Sequence, residues 1–270
     1  MQTPKLVASD VDGTLLDPME GVTARTAAVV ARTQAAGTPF VLVSGRPPRW
    51  IPRVAKAAGV SGYAVCANGA VLYDIGSDQV LGSHTLSAEQ LGDLAHALYA
   101  AMPECRVATE RIGRSALGLS GREFATEAGY EHPWPGDDVY AAARAEVLGH
   151  PAVKLLVRHT GMTSAELQDA AVALLGDVVD ITYSSSIGMI EISTAGITKG
   201  SGLAEVADLL GVAAEDVVAF GDMPNDLPML RWAGHGVAMA NGHPDVLAVA
   251  DEVTAANSAD GVAQVLERWF

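Results

Sequence analysis

Short apolar runs punctuate the chain, and the stretches between them carry helical spacing. Segments 6–9, 40–43 and 63–66 (Leu6-Val7-Ala8-Ser9, Phe40-Val41-Leu42-Val43, Tyr63-Ala64-Val65-Cys66) read as strands, with helices predicted over 23–36 and 51–58 between them. The same rhythm returns near the end, with helices predicted around 202–210 and 227–232 and strands over 217–220 and 236–239. Strands alternating with helices predict a parallel sheet with helices on both faces, whose ligand crevice lies at the carboxyl ends of the strands.

The middle of the chain has a different pattern. Helices are predicted over 88–102, 139–148 and 164–175, and strands near Leu81 and over 106–109, 116–119, 153–158 and 178–183. Adjacent strands between helices predict an α+β sheet with antiparallel neighbours. The expected architecture is therefore α/β, with a doubly wound parallel-sheet core formed by residues 1–82 and 190–270. An α+β domain over 83–189 is expected to be inserted into it, with 131–138 as one of its loops.

Length and composition fit two cores, since 270 residues with 49% hydrophobic content can fill both. The net charge of −15 argues against nucleic-acid and anionic-membrane partners, which need a basic face. Cys66 and Cys105 are too few for a disulfide framework or a four-ligand zinc site and suit a reducing compartment. No apolar run approaches the ~18 residues of a membrane span, and no signal pattern opens the sequence, so a cytoplasmic location is expected.

The candidate chemistry gathers at predicted strand ends. Asp10-Val11-Asp12-Gly13-Thr14 follows the first strand, and two carboxylates two residues apart on an extended backbone are expected to converge. Such a pair favours a cation or a shared proton, and Gly13 permits a sharp turn. Taken alone, the run also describes a simple turn, a calcium loop or the acidic pair of a nucleotide-sugar transferase. An EF-hand is excluded because Gly21 stands where its last glutamate belongs. Ser44-Gly45-Arg46 follows the second strand and offers a hydroxyl, an approachable backbone N–H and a cation. Lys199 stands near a helix start, against the helix dipole, which points to a bound anion or a carboxylate partner. Gly221-Asp222-Met223-Pro224-Asn225-Asp226 places a further acid, Asp222, at a strand end, while Asn225 or Asp226 also suits a helix cap. A third carboxylate would complete an oxygen-rich site of the kind Mg2+ prefers.

In this order the four segments resemble the motifs of the haloacid dehalogenase superfamily. Asn68-Gly69-Ala70 and Gly236-Val237-Ala238-Met239-Ala240-Asn241 extend the similarity to its Cof-like subgroup, in which an inserted α/β cap is usual. The resemblance implies a Mg2+-dependent phosphomonoesterase acting on a small phosphorylated metabolite, such as a sugar phosphate. Asp10 would be the nucleophile that forms an aspartyl-phosphate, and Asp12 the general acid and base. Mg2+ would be held by the Asp10 carboxylate, the Asp12 backbone carbonyl and Asp222. Phosphate would be gripped by Ser44, the Gly45 backbone and Lys199, with Asn225 contacting substrate or phosphate. Asp226 would orient Lys199 or a metal-bound water, and Arg46 would bind substrate or brace its loop. A phosphomutase using the same aspartate and a non-catalytic sugar-phosphate binder are the alternatives; a receiver-type signalling domain is too short. The cap would set specificity, with Glu110, Arg111, Arg114, His132 and Trp134 as residues of interest.

Overall fold

A computed structural model describes residues 2–131 and 139–270. Along the chain run β1 (Leu6–Ser9), α1 (Ala24–Ala35), β2 (Phe40–Val43), α2 (Ile51–Ala58), β3 (Tyr63–Cys66), β4 (Val71–Asp74) and β5 (Gln79–Ser83). Then come α3 (Ala88–Ala101), β6 (Arg106–Glu110), β7 (Phe124–Thr126), β8 (Val139–Ala141), α4 (Arg144–Leu148), β9 (Lys154–Arg158), α5 (Ser164–Leu175), β10 (Val179–Thr182) and β11 (Met189–Thr194). The last stretch holds α6 (Lys199–Leu210), β12 (Val217–Gly221), α7 (Leu227–Trp232), β13 (His235–Met239), α8 (Pro244–Val249), β14 (Glu252–Thr254) and α9 (Gly261–Leu266).

Two compact units emerge, one formed by residues 1–81 and 198–270 and the other by residues 82–197. The return to the first unit comes at Thr198 rather than at 190. Met189–Thr194 is a strand of the second sheet, paired antiparallel with β9 and β10, and so cannot belong to the core.

The first unit is built on an eight-stranded sheet in the order β14-β13-β12-β1-β2-β3-β4-β5, parallel from β14 to β3 and antiparallel between β3 and β4. Every residue of β1, β2 and β12 is buried, as expected of strands covered by helices on both faces. On one face, Leu6, Ala8, Val41, Val43 and Val65 pack with Leu203, Val206, Met229 and Leu230 of α6 and α7. Each buried leucine, valine or methionine among them contributes about 1.5–3 kcal/mol. Ser9 lies opposite both Phe220 and Leu42, so β1, β2 and β12 release their chains at one edge of the sheet.

The start of α6 is seated by glycines. A Cβ on Gly69, whose φ is +102°, would lie 2.0 Å from the Thr198 carbonyl oxygen, and one on Gly202 would lie 2.5 Å from Val65. Thr198 caps the helix by accepting from the Ser201 N–H.

The second unit holds a six-stranded sheet in the order β10-β11-β9-β6-β7-β8, antiparallel except for the β7–β8 pair. Its helices α3 and α5 open with reciprocal caps, Ser87 with Gln90 and Thr163 with Glu166. Two local expectations fail here. Residues 116–119 form a turn, because Gly113 and Gly118 bring their backbones together and Ser120 takes a left-handed φ of 55°; β6 pairs with β7 instead. Of 139–148 only α4 is helical, since β-branched Val139 and aromatic Tyr140 join the sheet beside β7. Glu110 and Arg111 are buried, and Arg111 holds Glu146 at 3.3 Å, tying the end of β6 to α4. Arg114 is exposed, while His132 and Trp134 lie outside the described residues. Both cysteines are buried and neither forms a disulfide. Among the described residues, no helix is long and apolar enough to cross a membrane.

The close approach of Gly69 to Thr198 makes Gly69→Ala costly, by roughly 3 kcal/mol of unfolding free energy from combined backbone strain and overpacking. Urea denaturation checks this, and an unchanged midpoint would contradict the packing.

Candidate active site

At the shared edge of β1, β2 and β12, Asp10 directly follows β1, Ser44 follows β2, and Asp222 follows β12. Asp10 is buried, and its Oδ1 accepts from Lys199 Nζ at 2.6 Å. The same ammonium donates to Asp226 Oδ1, also at 2.6 Å. Lys199 is the first residue of α6 and is 1% exposed, so its charge is answered by these two carboxylates in place of water. Asp226 Oδ2 accepts from the backbone N–H groups of Asp222 and Met223, both at 2.9 Å. Both Asp226 oxygens are thereby committed, to Lys199 and to the loop that carries Asp222.

The turn after Asp10 depends on Gly13. Its φ is +76°, and a Cβ there would fall 2.3 Å from Asp222 Oδ2. The adjoining Thr14 hydroxyl donates to Asp222 Oδ1 at 2.9 Å. Asp10, Asp222 and Asp226 bring oxygens within 4.8 Å of one another, a buried group able to hold a metal ion.

Asp12 does not join that group through its carboxylate. Because β1 ends at Ser9, strand alternation does not carry across Asp10 to Asp12, and the two acids take different partners. The Asp12 side chain is 56% exposed and receives a bidentate fork from Arg46, with Nε to Oδ2 at 2.8 Å and a terminal nitrogen to Oδ1 at 2.6 Å. Ser44 is fully buried, and its Oγ accepts from the Arg46 N–H at 3.0 Å across Gly45, which leaves the hydroxyl proton free to donate. Asn225 is buried and donates through Nδ2 to Asn68 Oδ1 at 3.1 Å, while its own Oδ1 is a buried acceptor with no partner among the described residues.

A family model for haloacid dehalogenase-like hydrolases matches residues 7–266. The chain belongs to this family. Among haloacid dehalogenase-like relatives, the 5-amino-6-(5-phospho-D-ribitylamino)uracil phosphatase YcsE of Bacillus subtilis (strain 168) is 28% identical over 274 residues, spanning 98% of this chain and 95% of its own. The pyridoxal phosphate phosphatase YbhA of Escherichia coli (strain K12) is 27% identical over 285 residues, spanning 98% of each. A crystal structure of a haloacid dehalogenase-like hydrolase from Bacteroides thetaiotaomicron superposes with a TM-score of 0.77 at 26% identity, covering 99% of this chain and 100% of that one.

Within this haloacid dehalogenase-like site, three residues have positions that motif reading left without a role. Thr14 fixes Asp222. Asn68, in a left-handed conformation with φ 58°, joins Asn225 and donates its N–H to the Ser44 carbonyl at 3.0 Å. Asn241 donates to the Gly13 carbonyl at 2.9 Å and accepts from the Asn257 N–H, latching the turn that carries Asp12. An asparagine at φ > 0 next to glycine was the available signal for Asn68. Asn241 closes the Gly236–Asn241 segment of the resemblance, but nothing local discloses its partner, which lies 228 residues away.

The electrostatics explain what the site lacks. Among the described residues, its buried carboxylates Asp10, Asp222 and Asp226 face a single ammonium, Lys199. Burial pushes Asp10 well above the ordinary carboxylate range despite Lys199, helped by Asp226, Asp222 and Asp12. Burial and then Asp226 push Asp222 up to about 7 against the Thr14 hydrogen bond. Burial would lower Lys199, but Asp10 and Asp226 outweigh it and hold its pKa above the usual lysine value. An all-oxygen donor set short of positive charge fits a hard divalent cation.

Because both carboxylate shifts run upward, the folded chain binds these protons more tightly than the unfolded chain. Their stabilising contribution is complete below the ordinary carboxylate range, and the part due to Asp222 is lost as pH rises through about 7. The thermal midpoint of chelated protein should therefore fall by several degrees between about pH 5 and about pH 8, and added Mg2+ should raise it more at the higher pH, where it displaces fewer protons. Equal stabilisation by Mg2+ at both pH values would contradict this charge arrangement.

Proposed function

We propose that the chain is a Mg2+-dependent phosphomonoesterase that transfers the phosphoryl group of a small phosphorylated metabolite to Asp10 and then to water. The observation that carries this reading is the division of labour between two acids of one motif. Asp10 is buried against Lys199, whereas Asp12 is exposed and held by Arg46. The phosphatase names of the relatives YcsE and YbhA support the same reaction class, and their differing substrates argue for a phosphorylated metabolite without specifying its alcohol.

In the first step a carboxylate oxygen of Asp10 attacks phosphorus, and the bond from phosphorus to the ester oxygen breaks. Asp12 gives its proton to the departing alkoxide. In the second step Asp12 takes a proton from water as that water attacks phosphorus. The Asp10–phosphorus bond breaks, and phosphate leaves with both aspartates restored. Lys199, the Ser44 hydroxyl and the Gly45 backbone are assigned to the phosphoryl oxygens, where fixed donors stabilise developing charge. Asn225 is assigned to the same group or to the neighbouring substrate, and Asp226 keeps Lys199 aimed at Asp10. Mg2+ would be held by the carboxylates of Asp10 and Asp222 and the backbone carbonyl of Asp12, supplying the positive charge the cluster lacks.

Hydrolysis of a generic aryl phosphate tests the proposal. Asp10→Asn should retain the fold and fall below about 1% of native turnover, because only the nucleophile is lost. Activity above a few percent would remove Asp10 from this role. Chelation should abolish turnover and Mg2+ restore it; indifference to chelation would reject the metal assignment.

A further inference from the structure

Where β3 ends, three successive residues take left-handed backbone angles: Ala67 at φ 52°, Asn68 at φ 58° and Gly69 at φ 102°. Alanine is disfavoured there and keeps the conformation only where its surroundings enforce it. Those surroundings are the segments assigned to phosphate. The Ala67 N–H donates to the Arg46 carbonyl and the Asn68 N–H to the Ser44 carbonyl, both at 3.0 Å. Gly69 lies against the carbonyl of Thr198, which precedes Lys199. The turn therefore ties the loop that carries Ser44 to the helix that carries Lys199.

These contacts use only the backbone, and glycine at position 68 would make them with less strain. The Asn68 side chain has a separate task. It is buried, where an amide is costly unless bonded, and its Oδ1 accepts from Asn225 Nδ2 at 3.1 Å. Among the described residues this is the sole hydrogen bond of the Asn225 side chain, whose own Oδ1 has no partner. An amide nitrogen carries two protons, and Asn68 takes one of them. The bond also sets which way round the amide stands. Held so, Asn225 keeps a second proton for an anion; turned over, it would put oxygen in the place of nitrogen and repel a phosphoryl group.

We propose that Asn68 is a positioning residue that holds the Asn225 amide with its nitrogen toward the phosphoryl group, and that its side chain acts on the ligand only through Asn225. The inference rests on the phosphatase reading of the same site, but phosphate binding tests it independently of turnover.

Asn68→Gly is the informative variant, because glycine accepts the left-handed turn and only the amide is removed. It is compared with Asn225→Ala and with the double variant, all with Mg2+, by the dissociation constant of inorganic phosphate from calorimetry and by kcat/KM for an aryl phosphate. Asn68→Gly should weaken phosphate binding and lower kcat/KM by about tenfold, the size of one hydrogen bond to a charged group, with little change in thermal midpoint. Asn225→Ala should lose at least as much. The double variant should match Asn225→Ala within about twofold, because the amide that Asn68 positions is already gone. Undiminished binding and turnover in Asn68→Gly, losses that multiply in the double variant, or collapse of the fold would overturn the proposal. A native chain that shows this non-additivity in phosphate binding but hydrolyses no ester would leave the positioning role standing and defeat the phosphatase reading. One that neither binds phosphate nor hydrolyses the ester would defeat both.

Discussion

The buried ammonium of Lys199 is the constraint on which the site depends. A lysine at the first position of a helix and 1% exposed loses its hydration and opposes the helix dipole, which costs several kcal/mol unless carboxylates replace the water. Asp10 does so from the end of β1, and Asp226, far away in sequence, from the loop between β12 and α7. The pairing requires β1 and β12 to lie side by side in register and α6 to start beside them. Close contacts at Gly69 and Gly202 hold α6 there. Asp226 also grips the backbone of Asp222 and Met223, so the same ion cluster sets the position of the acid most suited to a cation.

One ammonium cannot neutralise three buried carboxylates, and that imbalance separates the acids by role. Inside the cluster, burial and mutual repulsion favour either protons or a cation. Asp12, two residues from Asp10, escapes into solvent and into the fork of Arg46. Two carboxylates of one motif thus have separate environments, as a reaction needing a nucleophile and a proton carrier requires.

Much of this was legible in the sequence. The buried strands announced themselves as unbroken apolar runs, and β1, β2 and β3 begin and end where those runs do. The acids, Ser44 and Lys199 stood out because each follows a strand or opens a helix, where side chains reach the crevice of a parallel sheet. What could not be read depends on contacts between distant residues. The expected convergence of Asp10 and Asp12 assumed that the strand continues, but the chain leaves the sheet after Ser9. The Asn241 latch on Gly13 has no local pattern, and β11 looked like the start of the returning core because its apolar alternation does not disclose which sheet it joins. The strand expected over 116–119 failed because glycine and serine there favour a turn over pairing.

The most direct test of the central claim is to quench turnover of an aryl phosphate, radiolabelled in its phosphoryl group, with acid and map the label on the protein. The account predicts a phosphoryl group on the peptide that carries Asp10, removed by hydroxylamine as an acyl phosphate should be. Turnover without labelled protein, or with the label on Ser44 or any other residue, would contradict it.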